Sequence, residues 1–139
     1  MPAIELDLII AFLNRADRLH SIAARVFEDI AGGRLVGVAI PSSALLELEL
    51  VLRSRGVSPR EVEEVLLSLK NFPNIGEIPL TSDVQLRALG LREAYSLTFF
   101  DSLHAASALE YDRMIISVDE AYRRVPGLKA LDPRELPPA

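Results

Sequence analysis

Apolar residues along the chain form several short runs that predict strands. The predicted strands are residues 3–6, 35–40, 77–80, 114–118 and 128–131. The run at 35–40 contains no charged residue, which is typical of a strand buried on both faces of a parallel sheet. The apolar residues 8–13 are compatible either with a continuation of the first strand or with a helix.

Between these runs the apolar positions follow helical spacing. The predicted helices cover residues 16–31, 41–55, 58–70, 82–95 and 98–112, and a short helix begins at Asp119. Ser58 and Glu61 form a capping box with Pro59 at the first helical position, which defines the start of the third helix. Strands that alternate with helices predict an α/β fold, in which helices flank both faces of a central parallel sheet of four or five strands.

The length and residue types limit the classes of protein that fit. With 139 residues, the chain is predicted to form a single domain over residues 1–132, followed by a proline-rich C-terminal tail at residues 133–139. The absence of cysteine excludes disulfides, thiolate metal sites and a cysteine nucleophile. Because the sequence has neither a signal-peptide pattern nor an apolar stretch of membrane-spanning length, the predicted location is the cytoplasm, away from the membrane.

The net charge of −5 opposes binding to nucleic acid through its phosphates alone. Such affinity comes from Lys and Arg side chains that displace counterions. A nucleic-acid substrate would therefore have to be held by a metal ion or by local arginines. Arg53, Arg55, Arg123 and Arg124 are candidates, although clustered arginines are usually only a solvated surface.

Four acidic residues are expected to meet at one edge of the predicted sheet. Asp7 ends the first predicted strand and Asp119 follows a later one, while Glu47 and Asp101 lie in the first turns of helices. Carboxylates that share a site raise one another's pKa, and a divalent cation removes that conflict. Mg²⁺ or Mn²⁺ is the predicted ion, because both prefer hard oxygen ligands.

Each of these acids also has a purely structural interpretation. Asp101 is the third position of a capping box that begins at Thr98. Asp119 and Asp7 are placed where an acid commonly caps a helix. Glu47 lies in a helix, and helix surfaces are rich in glutamate. Taken singly, none of the four acids therefore indicates a function.

Together, in this order, the four acids and their neighbours resemble the PIN-domain family over nearly the whole chain. The segments that carry the resemblance are ELDLIIAFLN around Asp7, SSALLELELVLRSRG around Glu47, FFDSLHAASAL around Asp101 and MIISVDEAY around Asp119. The last two are similar to the third-acid helix of the family and to its Thr-x-Asp-x-x-Phe ending, with Ser117 at the threonine position. The size of the chain is similar to that of the toxin subunits of VapBC-type toxin–antitoxin pairs.

This resemblance implies a PIN-like three-layer sandwich and a Mg²⁺- or Mn²⁺-dependent endoribonuclease. The four acids would bind the metal, Ser117 would support them, and a metal-activated water would leave a 5′-phosphate and a 3′-hydroxyl. The implied partners are an RNA substrate and a small antitoxin protein. The family usually has a small hydroxyl or amide residue just after the first acid, whereas this chain has Leu8. The alternative is therefore a catalytically impaired PIN-like scaffold that binds protein or RNA.

The predicted helix at 41–55 carries two further expectations. Glu47 and Glu49 flank its inner apolar stripe on opposite sides, so periodicity does not choose between them, and the family register selects Glu47. Leu46 and Leu50 form a second apolar strip opposite the first. Such a helix is usually buried on both sides, which predicts a homodimer unless another helix of the same chain covers the strip.

Other candidates fit less well. His104 lies three residues after Asp101 on the same helical face, where a packed or hydrogen-bonded histidine is more common than a metal ligand. The haloacid-dehalogenase pattern begins with Asp-x-Asp, but this chain has Glu5 at the first of these positions and no following threonine. A receiver domain needs paired acids and a late lysine in a matching pattern, which we do not locate in the sequence.

Overall fold

A five-stranded parallel sheet forms the centre of the structure, a computed structural model that describes residues 2–136. The order across the sheet is third, second, first, fourth, fifth, and every neighbouring pair is parallel. The predicted parallel sheet is therefore confirmed, with five strands. In chain order they are Ala3–Ile4 (β1), Ala39–Pro41 (β2), Gly76–Ile78 (β3), Met114–Ile116 (β4) and Lys129–Leu131 (β5).

Six α-helices and a 3₁₀ helix connect these strands within the described residues. Residues 8–13 belong to a helix, which settles the alternative that the sequence left open. No helix in residues 2–136 is both long enough and apolar enough to cross a membrane. The helices are Leu6–Leu13 (α1), His20–Ala31 (α2), Ser42–Ser54 (α3), Pro59–Lys70 (α4), Ser82–Tyr95 (α5), Phe99–Tyr111 (α6) and Glu120–Arg124 (the 3₁₀ helix).

Helix α2 and strand β2 begin later than predicted, for local reasons. Helix α2 begins at His20 because the side chain of Asn14 accepts from the Ala16 amide and that of Asp17 from the Leu19 amide, so these backbone groups are used in turns. Strand β2 begins after Gly37, whose φ of 72° is incompatible with an extended strand. Strand β1 ends at Ile4, two residues earlier than predicted, and this earlier end determines where Asp7 lies.

Alternate residues of the strands face opposite layers of helices. Ile4 and Ile116 pack with helices α1 to α4 in one apolar core. Their neighbours Ala3 and Ile115 pack with α6 and the 3₁₀ helix in a second core on the other face. This alternation is the side-chain period of a strand, and it produces the predicted three-layer sandwich.

Helix α6 lies close against the sheet because its inner surface is made of small residues. Ala105, Ala106, Ser107 and Ala108 are all fully buried. Ala105 and Ala108 belong to the second core with the strand residues, and Ala106 packs against α5. The Ser107 hydroxyl donates to the Leu103 carbonyl oxygen at 2.8 Å, so its burial leaves no unsatisfied polar group. The first turn of α6, which contains Asp101, is thereby held next to the sheet.

The strand order reverses between β1 and β4, which creates a crevice at their carboxyl ends. Strands β2 and β3 follow β1 on one side, whereas β4 and β5 lie on its other side. In open parallel sheets, ligands bind at such a reversal point. Glu5 and Asp7 follow β1 here, and Ser117 and Asp119 follow β4.

The first residues of the predicted tail pack on the rest of the protein. Pro133 is buried, and its carbonyl oxygen accepts from the Arg25 guanidinium at 3.3 Å. Arg134 pairs with Asp132 at 2.6 Å, and Leu136 contacts the first apolar core. Residues 137–139 of the tail lie outside the described residues.

Candidate active site

Glu5 and Asp7 lie at the start of α1, directly after β1. The Glu5 carboxylate accepts a hydrogen bond from the Asp7 amide at 2.9 Å and is the N-cap of the helix. Asp7 is therefore not at the end of a strand, as the sequence predicted, but is the second residue of α1. The reason is that the Glu5 cap ends the extended backbone two residues before Asp7.

Asp101 uses its backbone and its side chain for different contacts. Its amide donates to the Thr98 hydroxyl at 3.3 Å, which is the cap that the sequence predicted. Its carboxylate oxygen Oδ1 accepts instead from the Tyr122 hydroxyl at 3.2 Å. Tyr122 is fully buried, and its hydroxyl also lies 3.5 Å from Oε1 of Glu5. Asp101 and Glu5, far apart in the chain, thus share one buried hydroxyl.

Asp119 caps the 3₁₀ helix, which is the structural interpretation that the sequence left open. Its Oδ1 accepts from the Ala121 amide at 2.9 Å, a contact that uses one of its two carboxylate oxygens. The Ser117 hydroxyl accepts from the Asp119 amide, also at 2.9 Å. The buried Ser117 therefore holds the backbone of the segment that presents Asp119.

Glu47 is held by a buried histidine on the neighbouring helix. Its Oε1 lies 2.7 Å from Nε2 of His104, and Nδ1 of His104 lies 2.8 Å from the Ser43 hydroxyl. An ionised carboxylate only accepts hydrogen bonds, so Nε2 donates to Glu47; in the neutral imidazole Nδ1 then accepts from the Ser43 hydroxyl. Glu49 instead pairs with Arg53 at 3.6 Å. Tertiary contacts thus distinguish two glutamates that periodicity could not separate.

The negative charges of these acids raise the pKa values of Glu5 and Asp7. Burial raises the pKa of Glu5 well above its ordinary value of 4.5, and the nearby carboxylates, with Asp7 first, raise it further. Partial burial also raises the pKa of Asp7, followed by the charges of Asp119, Asp101 and Glu47. Each acid named from the sequence thus belongs to one electrostatic group, to which the structure adds Glu5. We call this group the acid cluster: Glu5, Asp7, Glu47, Asp101 and Asp119.

Sequence reasoning missed Glu5, Tyr122 and Ser43 as parts of this site. Glu5 is only 3% exposed, although an isolated glutamate is seldom buried. The available signal was its spacing, since Glu5 and Asp7 flank a single apolar residue at the end of a strand. Tyr122 was noted only as part of a motif, and nothing in the sequence pointed from Ser43 to His104.

The donor groups of the acid cluster fit a hard divalent cation. They are all carboxylate oxygens, and their mutual repulsion is the kind that such an ion relieves. Within residues 2–136, however, no three acidic or histidine side chains stand close enough together to hold a metal ion. Charge and donor chemistry therefore fit Mg²⁺ or Mn²⁺, and ligation requires rotation of the side chains.

An open cavity borders the acid cluster at the 3₁₀ helix. Its volume is about 460 Å³, and its lining includes Asp119, Arg123 and Arg124. A larger cavity of about 530 Å³ lies between α3 and α4, where Glu49 is present and Glu47 is not. Asp119 is the member of the acid cluster that lines the first cavity, so we place the candidate site at the acid cluster, with this cavity beside it.

Comparison with models of known protein families shows to which family the chain is related. The family model described as PIN domain matches residues 7–128. The chain belongs to the PIN domain family. No protein with a curated description matches it significantly. The resemblance inferred from the acid motifs is thus confirmed.

Solved structures share the fold of this PIN domain at low sequence identity. A toxin–antitoxin complex from Klebsiella pneumoniae has a TM-score of 0.69 at 18% identity, covering 98% of this chain and 100% of that chain. Mycobacterium tuberculosis VapC20, described as a sarcin–ricin loop cleaving toxin, has a TM-score of 0.71 at 15% identity, covering 87% and 92%. FitAcB from Neisseria gonorrhoeae has a TM-score of 0.70 at 13% identity, covering 98% and 100%. At such identities the likeness establishes the fold.

Proposed function

We propose that this PIN domain is a metal-dependent endoribonuclease and the toxin of a toxin–antitoxin pair, acting in the cytoplasm. The observation that carries the proposal is the acid cluster, in which carboxylates from four separate segments act on one another at the reversal point of the sheet. Family membership supports a nuclease, and the similar structures include a toxin–antitoxin complex and a toxin described as cleaving the sarcin–ricin loop.

In this proposal Asp7, Glu47, Asp101 and Asp119 hold one or two Mg²⁺ or Mn²⁺ ions, with Glu5 beside them. When bound, such an ion supplies a water that loses its proton readily and a charge that balances the leaving oxygen. No side-chain nucleophile is required. These carboxylates would hold the ion near the carboxyl ends of β1 and β4, and the cavity at Asp119 would leave room for an RNA phosphate.

The surrounding residues keep these carboxylates in position. Burial raises the pKa of Tyr122 well above its ordinary value, so its hydroxyl stays protonated beside Asp101. His104 restrains Glu47 at 2.7 Å, and Ser117 restrains the backbone of Asp119. Groups that orient metal ligands in this way typically change activity when they are removed, although they touch no substrate.

The decisive experiment is calorimetric titration of the purified protein with Mn²⁺, paired with an RNA cleavage assay. We expect heat of binding, cleavage with Mn²⁺ or Mg²⁺, and no cleavage in EDTA, with products that carry a 5′-phosphate and a 3′-hydroxyl. The same sequence made as DNA tests the choice of substrate. Absence of both binding and cleavage at millimolar metal would contradict the proposal.

A catalytically impaired scaffold is the second candidate function. The observation that favours it is that no three possible ligands in residues 2–136 stand at metal-binding distance. Leu8 was the sequence feature that suggested an impaired site. It no longer supports this candidate, because Leu8 is buried in the apolar core and does not face the acid cluster. The titration with Mn²⁺ distinguishes the two candidates, since a scaffold without a metal site gives no heat.

The positioning role of His104 leads to a testable prediction. We expect His104→Gln to lower kcat by about 10- to 100-fold, because Glu47 loses its imidazole partner. The affinity for Mn²⁺ should fall as well, which a purely structural role would not require. Ser68→Ala is a control that removes an exposed hydroxyl outside the acid cluster. Unchanged Mn²⁺ affinity in a folded His104→Gln protein would contradict the role.

We further propose a homodimer that forms through α3. Leu46 and Leu50 are 46% and 49% exposed, so no element among the described residues covers the strip that they form. Burial of such a strip against a second copy removes apolar surface from water.

The proposed small antitoxin is a partner separate from the second copy of the chain. Coexpression of the protein with a short neighbouring reading frame that encodes the antitoxin should abolish RNA cleavage.

The dimer is tested by charging this strip. We expect the double variant Leu46→Glu and Leu50→Glu to run as a monomer in size-exclusion chromatography with light scattering, because four like charges would face one another across the interface. Leu86→Glu changes another exposed leucine, on α5, and should leave the mass unchanged. An unaltered dimer in the double variant, or a monomeric parent protein, would refute the contact.

A further inference from the structure

A row of stacked side chains runs from α5 across the first turn of α6 and ends at the acid cluster. The Arg92 guanidinium carbon lies 4.7 Å from the centre of the Phe99 ring. Phe99 meets Phe100 edge to face at 5.3 Å, and Phe100 stacks on His104 at 6.1 Å. His104 in turn contacts Glu47 at 2.7 Å. We call Arg92, Phe99, Phe100 and His104 the aromatic row.

The outer end of the aromatic row is open to solvent. Phe99 is 56% exposed, so its ring contributes little to either apolar core. Arg92 is fixed against this ring, since its Nη1 donates to the Ser102 hydroxyl at 3.0 Å and lies 3.5 Å from the Phe99 carbonyl oxygen. In the part of the chain that the structure describes, Arg92 has no carboxylate within 4.0 Å. The exposed ring of Phe99 and the positive charge of Arg92, which has no carboxylate partner among the described residues, are therefore fixed side by side.

These two groups suit unpaired bases of RNA. An unpaired base stacks on an aromatic side chain or an arginine plane, and such stacking does not depend on the overall charge of the protein. This independence matters in a chain whose net charge of −5 repels phosphates. Since paired bases are already stacked within a helix, the same surface discriminates against double-stranded RNA.

We propose that Phe99, with Arg92 against its ring, is a stacking subsite for one unpaired base of single-stranded RNA. The inference rests on the proposed function and specifies its substrate class. Phe99 precedes Asp101 by two residues, and positions two apart on a helix do not face each other. The stacked base therefore belongs to a nucleotide beside the cleaved bond, and Phe99 positions the substrate without taking part in the chemistry.

Equilibrium binding tests the subsite independently of cleavage. The probe is a fluorescein-labelled single-stranded RNA of eight nucleotides, measured by anisotropy with metal-free protein in EDTA. We expect Phe99→Ala to weaken binding by roughly tenfold or more. Leu86→Ala, which removes a side chain that is 65% exposed on α5, should bind like the parent protein. The same RNA annealed to its complement should bind Phe99→Ala and the parent equally.

A second variant reports stacking directly and guards against misfolding. The chain contains no tryptophan, so Phe99→Trp introduces a single fluorophore at the subsite. We expect its fluorescence to be quenched when the RNA is added, because the base lies against the indole. Leu86→Trp is the matched control, and its fluorescence should not change.

The outcomes separate this inference from the proposed function. Equal RNA affinity of Phe99→Ala and the parent, or an unquenched Phe99→Trp, overturns the subsite and leaves Phe99 available to a protein partner. A parent protein that does not bind the RNA overturns it as well. Binding that depends on Phe99, together with no cleavage in Mn²⁺, supports the subsite and contradicts the nuclease. Cleavage that is unaffected by Phe99→Ala at limiting RNA supports the nuclease and contradicts the subsite.

Discussion

Replacing Asp101 with Asn is expected to reduce metal-dependent RNA cleavage by more than a hundredfold while the fold is retained. The substitution removes one negative charge from the acid cluster, where the ion of the proposed mechanism is held. Loss of groups that only orient metal ligands already costs about 10- to 100-fold, and a ligand should cost more. The fold should persist because the Thr98 cap binds the Asp101 amide, and an asparagine oxygen can still accept from Tyr122.

The measurement is single-turnover cleavage in Mn²⁺, with circular dichroism and thermal melting to establish folding. Asp112→Asn provides a matched control, because this residue lies at the opposite end of the same helix and is not part of the acid cluster. It should cleave RNA like the parent protein. A folded Asp101→Asn protein that cuts as fast as the parent would show that Asp101 only caps its helix, and the proposed mechanism would be wrong.

Glu5→Gln is expected to stabilise the metal-free protein at neutral pH. Folded Glu5 has a raised pKa, so the folded state binds more protons than the unfolded chain between the ordinary value of 4.5 and the raised value. The free energy of unfolding therefore falls as the pH rises from the ordinary pKa to the raised pKa of Glu5. The contribution of protonated Glu5 is fully present below this range and is lost above it. Glutamine does not ionise, so the variant avoids this loss. A difference on the order of 1 kcal/mol corresponds to about 3–5 °C in Tm for a chain of this size.

Added Mn²⁺ should reverse the order of the two Tm values, so that the parent melts above Glu5→Gln. A ligand that binds only the folded state stabilises it in proportion to the logarithm of its concentration over Kd. We expect Mn²⁺ to raise the Tm of the parent strongly and that of Glu5→Gln less, because the variant has lost part of the negative charge that attracts the ion. Thermal melting in EDTA and in Mn²⁺, repeated across pH, measures both effects.

The control for this comparison is Glu49→Gln, which removes a half-buried charge paired with Arg53 outside the acid cluster. Its Tm should respond to EDTA and Mn²⁺ as the parent does. If Glu5→Gln instead melts below the parent in EDTA at neutral pH, Glu5 acts chiefly as the cap of α1. The repulsion inferred for the acid cluster would then be too weak to matter.

Local patterns were sufficient to predict nearly every helix and strand. The capping box at Ser58 is present, with its hydroxyl accepting from the Glu61 amide. The Thr98 hydroxyl likewise accepts from the Asp101 amide at the start of α6. These features depend on side chains within a few positions of one another, so the sequence displays them directly. The first strand was predicted too long because the Glu5 cap, which ends it, was not recognised.

The candidate site could be predicted only in part, because its contacts join distant segments. Four members of the acid cluster were named from motif order, but Glu5 was not, since its burial is a tertiary property and its contact with Tyr122 spans 117 positions. The family register selected Glu47 over Glu49, but the contact that holds Glu47 comes from His104, which lies 57 positions away. The exposure of Leu46 and Leu50 was open until the placement of all other described helices was known.

The sequence by itself determined the α/β class, the positions of its elements and the family to which the chain belongs. The class and the elements follow from residue spacing over one or two turns of backbone, and the family follows from the order of the acid motifs along the chain. Only the tertiary structure decided which carboxylates act on one another, which hydroxyl and imidazole hold them, and which aromatic ring stays in solvent. The physical reason is that desolvation and charge interaction depend on distance through space, and the chain order does not specify that distance.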